Sequence, residues 1–234
     1  IPDIEGIEEW DFQKKLKPRE EFEAFRDARF HLYDTVLRDV DEAIEQFLTD
    51  LNERDDTLVV VTGDHGEEFW EYAEFERHHF EDPRGIAGVG HGHALVPPVL
   101  EVPILIDSPV VDATERRAST TDIVPTLLEE LDATRVPSLD GVPLQSPKYV
   151  RPVLAEEIAY GPNQISVTHE GDHLIAIPAY EKTLLLDFES GTLLDDEQRR
   201  IELAEHLPES RTIGNSVSLD EQTRGQLSDL GYIN

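Results

Sequence analysis

Residues 57–69 read TLVVVTGDHGEEF. A Val-rich apolar run ends abruptly in an acid and an imidazole bracketed by glycines, and this change of texture decides how the chain is read. Three successive Val residues favour a strand buried on both faces over an alternating edge strand. Upstream, Phe22, Phe25, Tyr33, Val36, Val40, Ile44, Phe47 and Leu51 recur every three or four residues. That is the period of a long amphipathic helix over residues 20–54. Helix, short break, buried strand describes an α/β unit. In a mostly parallel sheet, ligands collect beyond the carboxyl ends of the strands, so Asp64 and His65 occupy a favoured position. Gly63 and Gly66 allow the tight backbone that would turn both side chains toward one point. From the residues alone two readings stay open: Asp64 caps the next turn beside a solvated His65, or the pair is half of a metal site.

Downstream, residues 66–98 are polar and read as a long loop before LEVPILI (100–106), a second buried strand. Loops of that length are uncommon in compact domains unless they carry function. At its far end lies GVGHGHAL (88–95), with His91 and His93 between glycines. The two core strands couple this cluster to Asp64-His65, which makes the histidines candidate anion or metal contacts. Glycines at 90 and 92 favour a turn that separates the two imidazoles. Arg77, His78 and His79 in FERHHF (75–80) are expected in a mobile solvated loop.

TTDIVPTLLEELDA (120–133) reads as a helix capped near Asp122, with Pro125 in its first turn and Ile123, Leu127, Leu128 and Leu131 on its inner face. Shorter strands follow: NQISVT (163–168), HLIAI (173–177) and TLLLDF (183–188), separated by turn residues. They predict a small antiparallel sheet. A domain boundary near residue 146 divides an α/β part, 1–145, from a C-terminal subdomain, 146–234. Two polar helices, over 195–207 and 218–234, complete the second part.

Composition narrows the function classes. The 234 residues include 20 basic and 51 acidic, a net charge of −31, and only five of the basic residues are Lys. Such a surface excludes nucleic acid as a partner. The acids are spread through a chain that is 38% hydrophobic, so a folded domain with an acidic surface is expected rather than disorder. The pattern resembles halophilic proteins of archaeal type, from a high-salt cytoplasm. There is no Cys and no Met. Lack of Cys removes disulfides, thiolate ligands and a Cys nucleophile. A chain opening on IPDIEGIEEW without Met is expected to be a piece of a longer protein. It contains no apolar run of membrane-spanning length and no signal peptide.

The order of segments YDTVLRDVDEAI, DTLVVVTGDHGEEF, GHGHAL, LEVPILI, TTDIVPTLL, LDGVPL, VLAEE and LLLDFESG resembles the carboxyl-terminal half of sulfatases in the alkaline phosphatase superfamily. That resemblance implies an α/β fold with an alkaline-phosphatase-like mixed sheet flanked by helices, present in part, plus the small antiparallel subdomain. It implies hydrolysis of a small-molecule or carbohydrate sulfate ester through a covalent enzyme intermediate. Asp64 and His65 match metal ligands, for calcium or magnesium first and manganese or zinc as alternatives. His91 matches a catalytic position that contacts the sulfate or leaving group, and His93 a more variable substrate-binding one. Gly63 stands where Ser is usual, and ALVPPVLEVP replaces the familiar Leu-Tyr-acid-Glu run. The Cys/Ser-x-Pro-x-Arg nucleophile motif and the first metal-binding acids belong to the amino-terminal half, the missing partner of this fragment, so the fragment alone is expected to be inactive. Two alternatives remain: a phosphoesterase or phosphonate hydrolase of the same superfamily, and a degenerate binding-only relative.

Overall fold

The structure, a computed structural model, describes residues 19–52, 57–83, 85, 87–107, 117–134, 136, 138–146, 151–156 and 158–208. The periodic apolar segment forms helix α1 (Arg19–Asn52). Only the start of its apolar face is covered, at Phe25 and Ala28. Phe22 and Phe25 set their rings edge-on to Trp70, while Phe30 and Tyr33 do the same to Phe69. Phe30 and Tyr33 nevertheless stay exposed, as do Val36, Val40 and Phe47, so the stripe runs past anything the described residues place against it.

The Val-rich run forms β1 (Val59–Thr62), which pairs antiparallel with β4 (Ile104–Asp107). This corrects the expected mostly parallel sheet of doubly buried strands. All strand pairs among the described residues are antiparallel, and β4 alternates half-buried with exposed positions, Leu105 reaching 62%. An apolar run shows that both faces seek cover, not which segment supplies it.

The 66–98 stretch is also more ordered than expected. It holds β2 (Glu68–Phe69), α2 (Ala73–His79), β3 (Val89–Gly90) and α3 (Pro97–Leu100). Arg77, His78 and His79 lie in the last turn of α2 instead of a mobile loop. His79 packs on the Phe75 ring and sits 3.0 Å from Lys182 Nζ.

The helix α4 (Ile123–Glu130) is entered through a single 3-10 turn, Thr120–Asp122. Ser119 and Asp122 form a reciprocal capping box, which satisfies donors that a helix start leaves open. Asp122 is fully buried because it also accepts from Val142 N and from Arg151. Of the expected inner face, Ile123, Leu127 and Leu128 are half-buried and Leu131 is 65% exposed, while Pro125 and Thr126 are the buried residues.

The expected antiparallel sheet forms from β5 (Val153–Glu156), β6 (Ile165–His169), β7 (Asp172–Ile177) and β8 (Lys182–Asp187), in that order. Alternation along the strands gives it two apolar faces. Val167, Leu174 and Leu185 meet Leu203 of α5 (Glu197–Ala204) on one side. Ile175, Ile177, Leu184 and Leu186 meet Ala94, Val96 and Val99 on the other. The segment that carries the histidines therefore shares a core with strands from beyond residue 146. The second tail helix, over 218–234, lies outside the described residues. No described helix is long and apolar enough to cross a membrane.

Candidate active site

Asp64 and His65 follow β1 with Gly63 between. Asp64 is exposed, and its Oδ1 accepts from the His65 backbone N at 3.0 Å. His65 Nδ1 lies 2.8 Å from the Gly66 carbonyl oxygen. A carbonyl can only accept, so Nδ1 carries a proton, and in the neutral ring Nε2 is the nitrogen with the lone pair, 3.8 Å from Asp64 Oδ1. This is how a metal-binding imidazole is usually held, with the second nitrogen anchored to backbone. Gly66 is required by close approach: a Cβ there would run into the Pro98 carbonyl, and Gly66 N donates to Val99 O at 2.8 Å.

The next two residues are acids that diverge. β2 and β3 pair with Glu68 opposite Gly90, and successive strand residues point to opposite faces. Glu67 turns outward, where its Oε2 accepts from His91 Nδ1 at 2.8 Å. The His91 ring also stacks on His65, with centroids 3.8 Å apart. Glu68 turns into the core. There His93 Nε2 lies 3.1 Å from Glu68 Oε2 and 3.0 Å from Glu76 Oε1. Burial works against the imidazolium, but the two carboxylates override it and hold His93 protonated well above the ordinary imidazole range. Burial in turn raises the Glu68 carboxyl, against the His93 hydrogen bond.

The loop between these histidines and α3 is gripped from the antiparallel sheet. Gln164 accepts from Leu95 N at 2.9 Å and donates to His93 O at 3.3 Å. His173 Nε2 donates to Leu95 O at 2.8 Å, while its Nδ1 accepts from Thr168 Oγ1 at 2.7 Å. Full burial pushes His173 down to about 4, so it is a neutral structural imidazole.

Asp64, His65 and His91 open onto a cleft of about 1040 Å³ that runs toward Arg117, Tyr160 and Phe188. Arg117 stacks on Phe188, 3.9 Å from the ring centre, and bonds Glu101 at 2.9 Å. Of the four candidate residues, the structure brings three together on one wall. His93 is 4% exposed and faces the core, a position that offers nothing to a substrate. Its separation from His91 follows the expected turn, with φ +83° at Gly90 and +74° at Gly92. Among the described residues, two groups of donors are close enough to share a cation: His65, Glu67 and His91 at the cleft, and Glu68, Glu76 and His93 in the core. The sequence reading missed Glu67, Glu68, Glu76, Gln164 and His173. The one available signal was the acid pair after Asp-His-Gly, matched in number to the His-x-His pair downstream.

The sulfatase family model matches residues 10–133. A protein solved in complex with its substrate D-glucosamine-2-N,6-O-disulfate is similar to this chain at 15% identity and TM-score 0.63, over 82% of this chain and 42% of that one. The phosphonate monoester hydrolase from Silicibacter pomeroyi is similar at 20% identity and TM-score 0.61, over 84% and 42%. A 2-O GAG sulfatase is similar at 16% identity and TM-score 0.56, over 91% and 44%. No curated protein matches the sequence. The chain thus spans less than half the length of these structures, and the likeness to them is one of fold, in keeping with the expected alkaline-phosphatase-like α/β class.

Proposed function

Because this chain belongs to the sulfatase family, we propose that it is part of a metal-dependent hydrolase of sulfate esters, in which Asp64 and His65 ligate a divalent cation and His91 serves the leaving oxygen. The observation that carries the reading is the wall formed by the exposed Asp64 carboxylate, the Nε2 of His65 beside it and the His91 ring stacked on His65. The donors fit a cation: one hard oxygen and one anchored imidazole open onto the same cleft. A bound divalent cation would supply positive charge against the sulfuryl oxygens. The carboxylate favours calcium or magnesium, and the imidazole keeps manganese and zinc as alternatives.

The remaining chemistry belongs to this chain's own residues and to a nucleophile that we place in the rest of a longer protein. These 234 residues alone are then inactive. As the S–O bond to the leaving group breaks, the departing oxygen takes the proton from Nε2 of protonated His91, which general acid catalysis requires to be within reach. Over the full cycle the sulfate ester and water become the alcohol, sulfate and one proton. The substrate class is a small-molecule or carbohydrate sulfate ester, a reading supported by the sulfated sugar bound in a fold neighbour. The net charge of −31 supports a halophilic, archaeal-type origin and a high-salt cytoplasm.

Likeness to a phosphonate monoester hydrolase favours one second reading, a phosphonate or phosphate ester substrate. The full-length protein assayed on an aryl sulfate and on an aryl phosphonate separates the two. Faster sulfate release supports the first reading; faster phosphonate turnover selects the second.

A further inference from the structure

We propose that Glu67 is the positioning residue of His91, the carboxylate that fixes which imidazole nitrogen faces the cleft. The inference deepens the function proposed above and rests on His91 acting there. An imidazole on a glycine-flanked turn has two tautomers and a ring that can flip, so its working nitrogen is undefined unless a partner selects it. Here two partners do. The β2–β3 register, with Glu68 opposite Gly90, extends by one residue to set Glu67 opposite His91. The Glu67 side chain is 16% exposed and reaches Nδ1 at 2.8 Å. A carboxylate accepts and does not donate when ionised, so Nδ1 must carry a proton. Nε2 is left for the cleft that His91 lines. The His65 ring, 29° from parallel with that of His91, restricts the remaining tilt.

This division of labour follows the logic of catalytic triads, where an acid orients the imidazole and takes no part in bond making. It also gives the two adjacent acids distinct roles. Glu68 belongs to the buried cluster that holds the hairpin together, whereas Glu67 acts only through His91. Glu67 is therefore replaceable by any side chain that still accepts from Nδ1. Glutamine can do so through its amide oxygen, alanine cannot.

The test uses the full-length enzyme with ¹⁵N-labelled histidine, comparing wild type, Glu67→Ala, Glu67→Gln, His91→Ala and the Glu67→Ala/His91→Ala double variant. Above the ordinary imidazole range, the ring nitrogen shifts of His91 are expected to report the Nδ1–H tautomer in wild type and a move toward Nε2–H in Glu67→Ala. Turnover of an aryl sulfate is expected to fall roughly 10- to 100-fold in Glu67→Ala, part of what general acid catalysis supplies. KM and bound metal stay unchanged, and Glu67→Gln recovers most of the rate. The double variant is no slower than His91→Ala. An unchanged tautomer, a loss of metal in Glu67→Ala, or a Glu67→Ala effect that persists without His91 would overturn the assignment. A tautomer change in a protein that turns over no sulfate ester would leave the assignment standing and remove the functional reading instead.

Discussion

His91 and His93 are two residues apart in sequence and in opposite environments: the His91 side chain is 45% exposed beside Glu67, and that of His93 is 1% exposed between Glu68 and Glu76. Their substitutions should therefore fail differently. His91→Ala is expected to cost about 100-fold or more in turnover, the scale of a lost general acid, with thermal stability close to wild type. His93→Ala strands two buried carboxylates and should cost about 3–5 kcal/mol of stability, as breaking a buried ion pair does. Thermal melts and kcat of the two variants check this, and a stable His93→Ala protein would remove the buried network from the account.

His173 makes a second, pH-dependent prediction. Its folded value is pushed down to about 4 by burial, with Arg117 adding to the depression and the Leu95 hydrogen bond opposing it. The unfolded chain, with an ordinary imidazole near 6.5, binds a proton first as pH falls. The His173 contribution is complete above about pH 6.5 and is lost between there and about 4, on the order of 3 kcal/mol in all. Many carboxylates titrate in the same window, so the readout is a difference. Wild type minus His173→Gln, measured as unfolding free energy against pH, should slope across that window and be flat above it.

The acidic surface predicts a salt response. Fifty-one acidic residues against 20 basic ones repel one another at low ionic strength, where the Debye length is about 30 Å at 0.01 M against about 3 Å at 1 M. Molar KCl should raise the thermal midpoint well above its low-salt value. A flat or falling midpoint would contradict the high-salt reading.

Particular residues show how far the sequence could be read. The three-four spacing of α1, the strands β6, β7 and β8 and the Asp122 cap were legible because each is a local preference of a few neighbouring residues. The direction of the β1–β4 pair was not: Val59, Val60 and Val61 satisfy parallel and antiparallel ladders equally, and only the spatial partner decides. Asp64, His65 and His91 were singled out through the order of motifs, and the structure sets them along one cleft; Glu67 was not, since a Glu after Asp-His-Gly is read as surface charge until the β2–β3 register sets it against His91. The core role of His93 depends on Glu76, 17 positions away, placed there by a helix in a stretch read as loop.

The most direct test of the central claim is bound divalent metal and aryl sulfate hydrolysis measured together in full-length wild type and Asp64→Ala. Asp64 is exposed at the end of β1, so truncation removes a ligand and leaves the core intact. The account predicts that wild type retains a divalent cation and releases sulfate, and that Asp64→Ala loses both with an unchanged far-UV spectrum. Wild-type metal content and turnover in Asp64→Ala would contradict it.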